Sequence, residues 1–245
     1  MRRDAAFARE LLHLLDHGTA RSVTERAVLL AGAANGEGGE SAAGLPLGMR
    51  DRCILRLHTA LFGTTVEARG TCPHCLEATV LALTSDQLHG IAPTSAEPIR
   101  VALDGYTVTC RLLTSVDLGR AARTDNHAQA RASLLTASVV HAEQDGMPVT
   151  AMALPPHVVE ALAETLAEAD PFAEIRLRMI CETCDGTWDA VLDLPQYVWH
   201  ELLDWGHALM WDVHVLARAY GWHEDEVVAL PASRRAAYVG LVLND

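Results

Sequence analysis

Two stretches decide the reading of this chain: VEARGTCPHCLEATVLALT at 66–84 and EIRLRMICETCDGTWDAVLDL at 174–194. Each carries a C-x-x-C pair between two runs rich in β-branched and alternating apolar residues, which predicts strand–knuckle–strand in both places. A C-x-x-C pair can place two thiolates on one ion only if the chain turns tightly between them. Pro73 helps that turn in CPHC, and Gly186 follows the second pair where backbone approaches the sulfurs. Cys72, Cys75, Cys181 and Cys184 together make a donor set for a structural zinc with all four tetrahedral positions filled by sulfur. Residues 76–180 separate the knuckles, so the ribbon is expected to be split by an insertion. Two disulfides, an empty degenerate ribbon and thioredoxin-type redox chemistry are the competing readings; the last requires a strand–helix context that neither pair has. His74 lies inside the first knuckle and is expected to be exposed. Cys53 and Cys110 sit in apolar runs and read as small buried residues.

Outward from the knuckles the period changes to helical. Residues 4–17 form a predicted helix with Phe7, Leu11, Leu14 and Leu15 on one side and Gly18 as its stop. Further helices are expected over about 22–34 and 48–62, with the Gly-rich stretch NGEGGESAAG between them as a flexible loop. Asp104-Gly105 between IRVAL and YTVTCRLL predicts a hairpin. The pattern is helical again from about 115 to 140, followed by a turn at Asp145-Gly146. Pro155-Pro156 opens a helix closed by Pro171. The last 50 or so residues read as one long helix from Pro195 to Tyr220 and two shorter ones at 224–230 and 231–243. The fold class expected is therefore α+β, predominantly helical. Its parts are N-terminal helices at 1–65, ribbon halves at 66–84 and 174–194, a hairpin-and-helix insertion at 85–173, and a C-terminal helical segment at 195–245.

Composition excludes some functions. Half of the 245 residues are hydrophobic and 21% are charged, the balance of a globular chain with a core. A net charge of −13, from 32 Asp and Glu against 19 basic residues, argues against nucleic acid and for a basic protein surface as partner. No run of about 18 apolar residues suggests a membrane span, and the start MRRDAAFARELLHLLDH is not a secretory signal. A cytoplasmic location is expected, where paired thiols favour metal over disulfide.

Twelve histidines invite a catalytic reading, but their spacing does not carry one. His200, His207 and His214 are seven apart, about 10.5 Å along a helix, too far to share an ion. They share a face with Asp204, Trp211 and Arg218, opposite an expected core face of Val198, Leu202, Trp205, Leu209, Val213, Leu216 and Tyr220. The histidine face is either a solvated polar side or a partner-binding strip of His207, Trp211, His214 and Arg218 centred on the Trp. Glu160, Glu164 and Glu168 read as the solvated side of a helix. There is no G-x-S-x-G, H-E-x-x-H or phosphate-binding loop, so no catalytic residue is assigned.

The stretches LPLGMRDRCILRLHTALFG (45–63), VEARGTCPHC (66–75), DPFAEIRLRMICETCDGTWDAVLDL (170–194) and the closing VWHELLDWGHALMWDVHVLARAYGWHEDEVVALPASRRAAYVGLV (198–242) resemble the T-even-phage-like baseplate hub assembly chaperones. These are the zinc-ribbon members encoded with contractile tails and contractile injection systems. The resemblance implies a non-enzymatic assembly chaperone or minor baseplate component whose partners are baseplate or hub proteins. It maps the family's zinc knuckles onto Cys72, Cys75, Cys181 and Cys184, and Leu76 stands where glycine is common. A zinc-ribbon nucleic-acid or transcription accessory protein, which would call for a basic stripe, and a metal-dependent hydrolase are the other two classes of function carried forward.

Overall fold

The computed structural model describes residues 5–36, 39–91 and 98–244, and these form a mixture of helix and sheet. In chain order the elements begin with α1 (Ala5–Gly18), α2 (Val23–Asn35), α3 (Gly39–Ala43) and α4 (Leu47–Phe62). The hairpin β1 (Thr65–Thr71) and β2 (Ala78–Thr84) follows, then α5 (Ser85–His89), β3 (Ile99–Leu103), β4 (Tyr106–Cys110), α6 (Ser115–Ala121) and α7 (His127–Ser138). Next are β5 (Val139–Gln144), β6 (Met147–Pro148), α8 (Pro156–Ala169), β7 (Ile175–Ile180) and β8 (Thr187–Leu192). The chain closes with α9 (Leu194–Tyr220), α10 (Glu224–Ala229) and α11 (Ala232–Leu243). Among the described residues no helix is long and apolar enough to cross a membrane.

The chain divides into two compact units, Met1–Ser22 with Gln196–Asp245, and Val23–Pro195. In the first, α1 joins the C-terminal helices because two glycines let side chains reach backbone. A Cβ on Gly18 would collide with the ring of Trp199, and one on Gly206 would meet Leu15 Cδ1 at 2.5 Å. Leu209, Val213, Leu216, Val227 and Val228 form the core there, with Ala8 and Leu12 of α1 packed on it. The core face expected for α9 is buried at Val198, Leu202, Leu209, Val213 and Leu216, while Tyr220 is exposed. Tyr220 ends its helix and instead stacks near Trp222, ring centroids 5.0 Å apart, in a cluster with Tyr238. The exposed face of α9 holds His200, Asp204, His207, Trp211, His214 and Arg218.

In the second unit an antiparallel sheet runs β3-β4-β5-β6. Its inward residues Ile99, Val101, Val108, Cys110 and Ala142 pack on Val158, Leu162 and Ala169 of α8, the period-2 and period-3.6 stripes meeting as amphipathic elements must. Both Asp-Gly pairs are hairpin turns: Asp104 and Gly105 have φ of 49° and 80°, Asp145 and Gly146 of 50° and 79°. Two consecutive positive φ values are what a two-residue type I′ loop requires. Strand β5 begins at Val139, where the helical pattern expected over about 115–140 ends. It buries only Ala142 on the sheet face, so its pairing with β4 rather than its own periodicity makes it a strand. The Gly-rich loop also contains a helical turn, α3.

Helix α4 organises this unit from its first turn. Leu47 N donates to Leu113 O at 3.0 Å, and Gly48 N donates to Asp170 Oδ2 at 2.9 Å. A Cβ on Gly48 would collide with the Asp170 carboxylate. One turn on, buried Arg50 donates from Nε to Asp51 Oδ1 at 2.7 Å and from Nη1 to Ser115 Oγ at 3.0 Å. Burial pushes Asp51 up to about 6 against the pull of Arg50.

Candidate metal centre

The two C-x-x-C pairs sit at the tips of two antiparallel hairpins. The β1–β2 ladder runs from Thr65 opposite Thr84 to Thr71 opposite Ala78, and the β7–β8 ladder from Ile175 opposite Leu192 to Ile180 opposite Thr187. Strand register therefore delivers Cys72 and Cys181 to equivalent places, one residue beyond a strand end. From there each knuckle closes with the same two backbone bonds. Cys72 N donates to Glu77 O and Leu76 N to Cys72 O; Cys181 N donates to Gly186 O and Asp185 N to Cys181 O, all at 2.9 Å.

This repetition faces the four sulfurs toward one another. Cys72 Sγ is 3.7 Å from Cys184 Sγ, and Cys75 Sγ is 3.5 Å from Cys181 Sγ. All four lie within 4.8 Å of one another. A tetrahedron with metal–sulfur arms of 2.3 Å has edges of about 3.8 Å, so the spacing fits one ion held by four sulfurs. Cys72 and Cys181 are buried, whereas Cys75 and Cys184 are exposed, and all four are free thiols.

The backbone also prepares thiolate. Amides of Thr183 and then Cys184 draw Cys181 down to about 6 against its burial. The Glu77 amide acts likewise on Cys75, but burial and bonding to the three other thiols outweigh it and push that thiol up. A bound cation would reverse that last effect and deprotonate the whole set. The amide of His74 also points at Cys72 Sγ, 3.4 Å away.

His74 is exposed and its ring lies over the backbone of Gly186. A Cβ there would be 2.6 Å from His74 Cδ2 and 3.2 Å from Cys184 Sγ. Glycine after the second knuckle is thus needed for this ring and this sulfur together. Cys53 and Cys110 are buried away from the cluster, and burial lifts the Cys110 thiol to about 11, leaving it unreactive.

The proposed strip on α9 is solvent-facing: His207, Trp211, His214 and Arg218 are all exposed, Trp211 by 57%. The Trp211 and His214 rings lie 6.0 Å apart. The histidines spaced by seven do not converge. Among the described residues the four cysteines are the only group of three or more His, Cys, Asp or Glu placed to hold one ion. Comparison of the chain with protein-family models, with curated proteins and with solved structures finds no match in any of the three.

Proposed function

We propose that Cys72, Cys75, Cys181 and Cys184 bind one structural zinc in a split zinc ribbon, and that the chain works through its protein surfaces rather than by catalysis. The observation that carries this reading is the junction itself. Four sulfurs from two segments far apart in sequence converge at tetrahedral spacing on pseudo-symmetric hairpin tips. A zinc ion held there would have every position taken by protein, leaving none for water or substrate. Its contribution would be to fasten the ends of the inserted region, since small ribbons draw much of their folding free energy from the metal.

The partner class follows from charge and resemblance. An acidic chain of net charge −13 suits a basic protein partner, and stretches 45–63, 66–75, 170–194 and 198–242 resemble baseplate hub assembly chaperones. The chain is accordingly read as an assembly chaperone or minor baseplate component of a phage-tail-like contractile injection system, acting in the cytoplasm.

The test is reconstitution. Hub and baseplate proteins from the same gene cluster are co-expressed with and without this chain, and assembled hub is measured by sedimentation. Assembly that needs the chain, and a complex containing it, supports the reading. Hub that assembles equally well without it overturns the reading.

A further inference from the structure

The four sulfurs of the metal centre are unevenly open to attack from solvent. Cys72 and Cys181 are wholly buried, whereas Cys75 and Cys184 are exposed at the hairpin tips among exposed neighbours, His74, Leu76 and Asp185. Contacts across the junction join one sulfur of each kind. Exposed Cys75 lies 3.5 Å from buried Cys181, and exposed Cys184 lies 3.7 Å from buried Cys72. Each pair links the first cysteine of one knuckle to the second cysteine of the other, so the pseudo-symmetry of the tips makes the pairs equivalent. A disulfide holds its sulfurs about 2.05 Å apart, so each pair has about 1.5 Å to close, within the reach of side-chain rotation at two cysteines. Cys53 and Cys110, at 4% and 1% exposure, are shut off from an oxidant in solvent.

We propose that these cysteines are also a peroxide-sensitive modification site, in which oxidation replaces the metal clamp by two cross-knuckle disulfides, Cys75–Cys181 and Cys72–Cys184. The starting state rests on the zinc reading above. Sulfurs that hold zinc are deprotonated, and exposed thiolates are the ones that hydrogen peroxide oxidises. The Cys75 sulfur attacks peroxide and the O–O bond breaks. One oxygen stays as the sulfenic acid and the other leaves as hydroxide. The Cys181 sulfur, 3.5 Å away, then attacks the sulfenic sulfur; the S–S bond forms, the S–O bond breaks, and hydroxide leaves. Cys184 and Cys72 follow the same course. In sum, four thiolates, two hydrogen peroxide molecules and four protons give two disulfides and four waters. The sulfurs lose four electrons and the peroxide oxygens gain them. A disulfide sulfur carries no charge to hold a cation, so zinc is released as the bonds form.

The junction itself survives the exchange. Both disulfides run between the hairpins, so residues 76–180 stay closed into a loop without metal. Pairing within each knuckle, Cys72 with Cys75 and Cys181 with Cys184, would instead free the two tips from one another.

The test uses the full-length zinc-loaded chain and hydrogen peroxide. A chromogenic chelator follows zinc, and mass spectrometry of an alkylated, unreduced digest maps the disulfides. One zinc per chain should be lost, with cross-linked peptides joining Cys75 to Cys181 and Cys72 to Cys184. Cys53 and Cys110 should be recovered as alkylated thiols, and dithiothreitol with zinc should restore the starting state. Under chelator, hydrogen exchange at 66–84 and 174–194 should stay protected in the oxidised chain and be lost in the reduced one. Disulfides within a knuckle or between chains, sulfinic acid in place of a disulfide, or equally fast oxidation of Cys53 and Cys110 each overturn the proposal. A chain that keeps its zinc and its thiols in peroxide overturns the oxidation and spares the zinc reading. A chain that carries no zinc but forms both cross-links overturns the zinc reading and leaves the cross-linking to stand on its own.

Discussion

Leu76 and Asp185 occupy the same backbone position in the two knuckles, each directly after the second cysteine, with left-handed φ values of 62° and 56°. Each donates its amide to the carbonyl of the first cysteine at 2.9 Å. The knuckle bond requires that conformation, and the side chain does not choose it. Asp tolerates the left-handed region through its short polar side chain, whereas Leu has no such compensation. Leu76 is also 78% exposed, so no packing offsets the strain.

Leu76→Gly should therefore stabilise the zinc-loaded protein by about 1 kcal/mol, since glycine enters this region without the Cβ clash. Thermal unfolding at saturating zinc reads the change. A lower melting temperature for Leu76→Gly would show that the exposed leucine contributes something its surroundings do not reveal.

Purified wild type should carry one zinc per chain, and the Cys72/Cys75 double serine variant none. Metal binding to small ribbons supplies on the order of 10 kcal/mol, so chelation should unfold the two hairpin tips well before the helices. Elemental analysis gives the stoichiometry, and hydrogen exchange at residues 66–84 and 174–194 gives the location. Unchanged protection there in Cys181→Ser, with zinc retained, would refute a four-thiolate centre.

The hairpins and cysteines were legible because their signals are local: a knuckle between two alternating runs needs no knowledge of the rest of the chain. The convergence of Cys72–Cys75 with Cys181–Cys184 was legible only from their matching context, and the structure supplies the shared bonds that cause it. Strand β5 was not legible, because Val139–Gln144 buries one residue and gains its conformation from pairing with β4. The place of α1 beside α9 was equally hidden. It depends on Gly18 and Gly206 admitting Trp199 and Leu15, and a missing side chain leaves little trace in a hydrophobic pattern.

Gly186→Ala should destabilise the zinc-loaded protein by about 1–3 kcal/mol, the usual cost of overpacking a tight site. The closest atom to the new methyl is His74 Cδ2 at 2.6 Å, while Cys184 Sγ lies farther off at 3.2 Å. Adding His74→Ala should recover at least half of the loss, and a double-mutant cycle measures that coupling. Additive costs would mean that the sulfur, and not the ring, enforces glycine at 186.

Asp117 makes stability depend on pH. Burial alone would raise it. Two bonds from Arg111 at 2.8 and 2.9 Å and two from Thr114, each at 2.9 Å, outweigh burial and hold it down at about 2. A carboxyl depressed in the folded state contributes stability above its unfolded value near 4, and that contribution is lost as pH falls toward 2. Asp51 has the opposite sign: raised to about 6, it is protonated more readily in the folded chain, so acidification from 6 to 4 favours folding at that residue. Asp117→Asn should thus cost about 2 kcal/mol at neutral pH, where a capping box and a half-buried ion pair are lost together. The difference from wild type should stay nearly constant between pH 7 and 5 and shrink below pH 4. Urea unfolding of both proteins across that range measures it, and a gap that persists unchanged at pH 3 would show that the Arg111 and Thr114 bonds do not depend on the ionised carboxylate.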